Sequence, residues 1–208
     1  LGKLQIKLSD VTLIYINLEA ETERRASVES ITSRWLFKEV IRLSATDNPD
    51  NFIDACTDSH IRALELAQTI DGPVLIIEDD CVELSPALDV LEVPDDTDAM
   101  YLGHYSLGLG QIRGSMLEWS TSPMAYVTEP AADDVYRVVS MLGAHAVLYV
   151  NKDYAKFAER VCRRALELSI PQDVLIAVTM TFYNIYTYNA PLFAQASSLG
   201  WSTNFIVD

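Results

Sequence analysis

Residues 74–84 read VLIIEDDCVEL. Four aliphatic residues, Val74 to Ile77, run straight into three carboxylates, Glu78, Asp79 and Asp80. A continuous apolar, β-branched run of this length is the signature of a strand buried on both faces. Three adjacent acids repel one another, and the simplest device that makes them tolerable is a cation. On an extended backbone Glu78 and Asp80 share one face and Asp79 points to the other. Two positions along a strand is about 6–7 Å, wide for two direct ligands on one ion. One acid is therefore expected to bind directly, with the other acting through water or on a sugar hydroxyl. Hard oxygen ligands suit Mn²⁺ or Mg²⁺, which complete their shells with phosphate and water.

Working outward, the segment 11–18 (VTLIYINL) reads as another buried strand, 21–34 as a helix and 39–43 as a second strand. A helix capped by Thr57 or Asp58 runs through His60, Leu64 and Ala67 and is stopped by Asp71-Gly72-Pro73. A short helix is expected near 86–91 and a strand at 99–103. This β-α-β-α-β-α-β order implies a mostly parallel central sheet with helices on both faces. The rhythm then changes. The Gly- and Tyr-rich stretch 103–114 reads as a mobile loop, and 115–150 as short β pieces ending at 146–150. Helices follow at 151–169 and from Pro171 to about Phe182, then a strand at 183–188 and an ordered coil tail.

The totals bound the answer. A chain of 208 residues, half apolar and 22% charged, is globular. It is long enough for one domain with a real core. No apolar run reaches the roughly 18 residues of a membrane span, and the opening LGKLQIKLSD is too short and polar for a signal peptide. Without a Met at its start the sequence reads as a piece of something longer. Three cysteines, Cys56, Cys81 and Cys162, lack metal-type spacing and fit reduced thiols in a cytoplasmic compartment. A net charge of −15 argues against a nucleic-acid partner. Oligomeric state is left open.

Two families carry an acidic triplet after a strand. In response-regulator receiver domains the acids follow the first strand, and a phosphoacceptor Asp and a Lys close later strands. Here two strands precede the acids, no later strand ends in Asp, and Lys152 opens a helix. The second resemblance covers about residues 13–198. IYINLEAETERR (14–25), CTDSHIRA (56–63), VLIIEDD, GAHAVL (143–148), PQD (171–173) and PLFAQ (191–195) resemble, in order, the motifs of glycosyltransferase family 25, the lipooligosaccharide and procollagen galactosyltransferase group. Glu78 stands where a generic Asp-x-Asp has its first Asp, Ala55 where the family often has Gly, and Gln172 where it usually has Val.

The resemblance implies a GT-A nucleotide-sugar fold in one domain, with donor binding over about 10–105 and the acceptor side over about 106–208. It implies inverting transfer of a hexose, glucose or galactose, from a UDP-sugar to a glycan acceptor. Asp80 is the expected metal ligand, with Glu78 and His145 as further ligands and Asp79 on the metal or the ribose. Asn17 and Leu18 are placed at the uracil and ribose, and Arg24 and Arg25 at the diphosphate or sugar. The alternative for the arginines is ordinary helix-surface pairing with Glu21 or Glu29. Ser59 and His60 are expected at the nucleotide, although a histidine on an apolar helix is also a common core residue. Asp173 is the first candidate for the base that deprotonates the acceptor and His145 the second; an acid at 173 equally suits a helix dipole. Tyr101, His104 and Tyr105 are candidates for stacking on sugar, and Gln195, Ser197 and Ser198 for phosphate or acceptor. Trp201 and Phe205 read as packing residues. A non-catalytic nucleotide-sugar or glycan binding module is the main alternative.

Overall fold

The computed structural model describes residues 2–103 and 126–196. The strands among these residues are β1 (Lys3–Lys7), β2 (Thr12–Asn17), β3 (Glu39–Ser44), β4 (Val74–Glu78), β5 (Cys81–Glu83), β6 (Val90–Pro94), β7 (Ala99–Tyr101), β8 (Tyr126–Ala132), β9 (Val135–Met141), β10 (Ala146–Tyr149), β11 (Ile185–Tyr188) and β12 (Phe193–Gln195). The α-helices among them are α1 (Thr22–Arg34), α2 (Phe52–Thr69), α3 (Lys152–Leu168) and α4 (Gln172–Ala177).

The expected α/β architecture, one large central sheet flanked by helices, is present. Eight strands form it in the order β3-β2-β4-β10-β7-β11-β9-β8. The directions are mixed. β2 runs parallel to β3 and β4, and β11 parallel to β7, whereas β10 lies antiparallel to both its neighbours and β9 to β8 and β11. The parallel rhythm ends at the acids because β10 arrives from the second half of the chain and enters beside β4 from the opposite end. Both halves of the chain therefore share one sheet.

Side chains alternate between the sheet's two buried faces, as the two-residue period of a strand requires. Ile14, Ile16, Val74 and Ile76 join one core with Ile61 and Leu64 of α2 and Tyr154 and Ala158 of α3. Leu13, Tyr15, Leu75 and Ile77 join the other, with Val28 and Ile31 of α1 and Ile6 and Val93 of β1 and β6. Helix α2 begins earlier than the sequence suggests. Asn51 caps it, its side-chain oxygen accepting the Asp54 N–H at 3.1 Å, and Thr57 and Asp58 lie inside it. No helix forms near 86–91. Instead β6 pairs antiparallel with β1 as a separate two-stranded ribbon. The helix after Pro171 is short and gives way to a 3-10 turn at Met180–Phe182.

What positions the site is the corner after β4. Glu78 is the last strand residue, and its N–H still donates to the His145 carbonyl at 2.9 Å. Asp79 and Asp80 form a turn, and β5 then leaves the main sheet to pair with β12. The chain bends within the triplet, so the three acids diverge.

Candidate functional site

Beyond the carboxyl ends of β2, β3 and β4 lies a cavity of about 340 Å³. In α/β sheets this is where ligands gather. All three acids line it, with Arg24, Ser59 and His60. Leu18, Ile16, Pro49 and Phe52 give it an apolar side, and Gln195 closes one end.

Each acid has a different environment. Glu78 Oε1 lies 2.9 Å from His60 Nε2, and Oε2 accepts from Gln195 at 3.4 Å. Burial works against charge on both partners of the first pair. Contacts with Cys56 and Glu78 outweigh it for His60, whose pKa is pushed up to about 10. The His60 hydrogen bond and charge, helped by nearby His145 and Arg24, hold the Glu78 carboxyl below its usual range. The pair is thus an imidazolium against a carboxylate.

Asp79 is tethered from two sides. Asn17 Nδ2 donates to its Oδ2 at 2.8 Å, and Arg24 reaches its Oδ1 at 3.2 Å. Burial nevertheless lifts its pKa. Asn17 is itself locked, donating to the Glu21 carbonyl at 3.0 Å and accepting from Arg42 Nε at 2.9 Å.

Asp80 is the exception. It is only 9% exposed, and its Oδ1 is a buried oxygen with no hydrogen-bond partner among the described residues. Burial, and then the negative charge of Glu78, push its carboxyl up to about 7. A buried, unsatisfied carboxylate oxygen carries a penalty that a cation would relieve. The site thus answers the repulsion in the triplet twice over. Protein cations hold Glu78 and Asp79, and Asp80 alone keeps an open oxygen. The residues present therefore fit a divalent ion at Asp80.

Of the other described residues given a site role from the sequence, Ser59 lines the cavity and the rest lie off it. Ser59 serves the wall: its Oγ accepts the Thr46 N–H at 2.9 Å and donates to the Ala55 carbonyl at 2.8 Å, fixing the loop that forms one side. Arg25 does not line the cavity and sits 3.8 Å from Glu19. His145 is buried with its ring against Gly103, and its carbonyl accepts from Glu78 N and Cys81 Sγ. Asp173 accepts the Gly143 N–H at 3.1 Å, and burial raises its pKa. Neither His145 nor Asp173 lines the cavity. Tyr101 is fully buried in the core. Lys152 pairs with Asp71 at 3.1 Å and does not line the cavity either. His104, Tyr105, Ser197, Ser198, Trp201 and Phe205 lie outside the described residues.

Three contributors escaped the sequence reading. Arg42 orients Asn17 from β3. Phe52, at the start of α2, is 74% exposed at the cavity rim. Cys56 lies one turn before His60 and lines the same wall. The i, i+4 spacing of Cys56 and His60 was a usable signal, since it puts both on one helix face.

No protein-family model and no curated protein matches the chain. The family 25 resemblance therefore has no counterpart in those comparisons. Solved structures similar to it include a glycosyltransferase involved in the glycosylation of the major capsid of PBCV-1, at 11% identity and TM-score 0.48 over 93% of this chain and 94% of that one. A nucleoside-diphosphate-sugar pyrophosphorylase from Vibrio cholerae RC9 matches at 11% identity and TM-score 0.45, over 87% of this chain and 73% of that one. A197 from STIV matches at 10% identity and TM-score 0.45, over 88% and 82%. These likenesses are loose. Among the described residues no helix is long and apolar enough to cross a membrane.

Proposed function

We propose that the cavity binds a nucleoside diphosphate sugar together with a divalent cation, and that the chain is a GT-A-type glycosyltransferase transferring a hexose from a UDP-sugar to a glycan. The observation that carries this reading is Asp80 Oδ1, a buried carboxylate oxygen without a hydrogen-bond partner among the described residues, in a cavity at the carboxyl ends of three parallel strands.

Charge makes the cation necessary to the reading. The cavity wall holds Glu78, Asp79, Asp80 and Asp47 against Arg24 and His60. His60 and Arg24 answer Glu78 and Asp79, and added positive charge is needed to offset the remaining Asp80 and Asp47 against a diphosphate. Asp80, with water, would hold Mn²⁺ or Mg²⁺, which would supply that charge and offset the charge developing on a departing diphosphate. The chain's own residues do the rest. Asn17 and Arg24 hold Asp79 so that it cannot swing toward the ion site. Leu18, Pro49 and Phe52 offer an apolar surface to the base or sugar.

A binding module without turnover is favoured by one observation: the two candidates for the acceptor base, Asp173 and His145, do not line the cavity. Release of UDP from a UDP-hexose, measured with and without glycan acceptors, separates the two readings. The central test is calorimetric titration with UDP in the presence and absence of Mn²⁺. Binding is expected only with the metal and is expected to be lost in Asp80→Ala. Metal-independent binding that survives Asp80→Ala would remove the role assigned to the acids.

A further inference from the structure

Cys56, His60 and Glu78 converge on one point in the floor of the cavity. Each offers one ligand atom, and these atoms all lie within 4.8 Å of one another. Cys56 and His60 sit four residues apart on α2, so both project from the same helix face. Glu78 meets them from the end of β4, its Oε1 2.9 Å from His60 Nε2. All three line the cavity, so an ion can reach them.

The surroundings of Cys56 are those of a ligand thiol. Gln172 Nε2 lies 3.5 Å from Cys56 Sγ, and its Oε1 accepts from Thr57 Oγ1 at 2.8 Å. Gln172 is 94% buried by its 6% exposure, so the amide is fixed with its N–H side toward sulfur. Outer partners of this kind orient ligands in metal sites.

We infer that Cys56, His60 and Glu78 form a binding site for a thiophilic divalent cation of the Zn²⁺ class, separate from the Asp80 position. The ligand chemistry sets the choice of ion. One sulfur, one imidazole nitrogen and one carboxylate suit Zn²⁺, whereas Mn²⁺ and Mg²⁺ prefer oxygen alone. Ligand bonds of about 2.0–2.3 Å to a tetrahedral ion put ligand atoms about 3.3–3.8 Å apart, so the cluster closes by roughly 1 Å at its widest pair. Three protein ligands would leave a fourth position for water or substrate, as in catalytic zinc sites. Binding displaces the proton shared by His60 and the thiol proton of Cys56 to solvent. The inference stands whether or not the cavity takes a nucleotide sugar.

The test is titration of the whole chain with Co²⁺, the spectroscopic stand-in for Zn²⁺. A thiolate-to-cobalt charge-transfer band is expected in the near ultraviolet, reaching its limit at one ion per chain and bleached by one equivalent of Zn²⁺. Cys56→Ser is expected to abolish the band, with circular dichroism confirming the fold. The other thiols are poorly placed: Cys81 and Cys162 are fully buried, and Cys81 is bonded to the His145 carbonyl. His60→Gln and Glu78→Gln are each expected to weaken Co²⁺ at least about tenfold, and Gln172→Ala, acting through Cys56, about tenfold without loss of the band. Asp80→Ala is expected to keep the band while losing Mn²⁺-dependent UDP binding, so failure of one site is distinguishable from failure of the other. No band in the native chain, an undiminished band in Cys56→Ser, or loss of the band in Asp80→Ala would each overturn the assignment.

Discussion

Nε2 of His60 lies 2.9 Å from Oε1 of Glu78, joining the middle of a helix to the end of a strand through one hydrogen bond between opposite charges. The His60 side chain is 5% exposed and that of Glu78 21%. The first of three consecutive acids is therefore neutralised by the protein itself, and the remaining two are handled separately.

This pair sets a pH dependence with a definite sign. His60 has its pKa raised from 6.5 to about 10, so its contribution to stability is full below pH 6.5 and is lost as pH rises toward 10. Glu78 is lowered from 4.5, so its contribution is full above pH 4.5 and is lost as pH falls through its folded value. The pair stabilises most between those two unfolded values. Removing one partner of such a pair costs about 3 kcal/mol. Urea unfolding of native chain and His60→Gln is expected to differ by that order near pH 6 and to converge near pH 10. A constant difference across that range would contradict the ion pair.

Asp80 behaves in the opposite way. Its carboxyl is raised from 3.8 to about 7, so the folded state is penalised as pH climbs through that interval. Asp80→Asn, which cannot ionise, is expected to be more stable than the native chain above pH 7, by on the order of 1–3 kcal/mol. Adding Mn²⁺ is expected to raise the melting temperature of the native chain and leave the variant unmoved. A variant less stable than the native chain in metal-free buffer would mean the orphan oxygen is satisfied in solution.

Asn17 and Arg24 hold the same carboxylate but carry different loads. Asn17 is buried and closes three hydrogen bonds. Asn17→Ala leaves Arg42, Asp79 and the Glu21 carbonyl each short of a partner and is expected to cost about 3 kcal/mol. The Arg24 side chain is 19% exposed at the cavity wall. Arg24→Ala is expected to cost about 1 kcal/mol of stability yet weaken Mn²⁺-dependent UDP binding by about tenfold, which is about 1.4 kcal/mol. Chemical denaturation and calorimetry on the two variants separate these effects, and equal losses of both kinds in both variants would refute the division.

Gly103 and His145 are a steric pair. A Cβ at 103 falls well inside contact distance of His145 Nε2 and 3.1 Å from the Phe193 carbonyl. Gly103→Ala is expected to destabilise by about 1–3 kcal/mol through overpacking. Combined with His145→Ala it should cost less than the two single changes added together. Strict additivity in a double-mutant cycle would show that the ring does not set the space at Gly103.

The sequence carried the buried strands at 11–18 and 74–77, the helix at 151–169, and the acid triplet as the place to look. These were legible because apolar runs and Asn caps are local signals. The β1–β6 ribbon was not legible. Its strands are five residues long, β1 buries only Ile6, and their pairing partner lies about ninety residues away. The antiparallel entry of β10 between β4 and β7 was hidden for the same reason: strand direction is a property of the return path, which no window of sequence contains. In the site, Glu78, Asp79, Asp80, His60 and Arg24 were all visible as residues. The sequence divided the acids between an ion and water or a sugar hydroxyl, but it did not pair Glu78 with His60 or Asp79 with Asn17 and Arg24.

By itself, then, the amino-acid sequence determined that a buried strand must end in charge, and that this charge stands at a strand's carboxyl end, where α/β sheets gather ligands. Only the tertiary structure decided which charge answers which. His60 reaches Glu78 from eighteen residues upstream and Arg24 reaches Asp79 from fifty-five, and neither makes a hydrogen bond to Asp80 Oδ1 among the described residues. Electrostatic pairing depends on separation in space, and separation in space is fixed by how the sheet is assembled rather than by the order of residues along the chain.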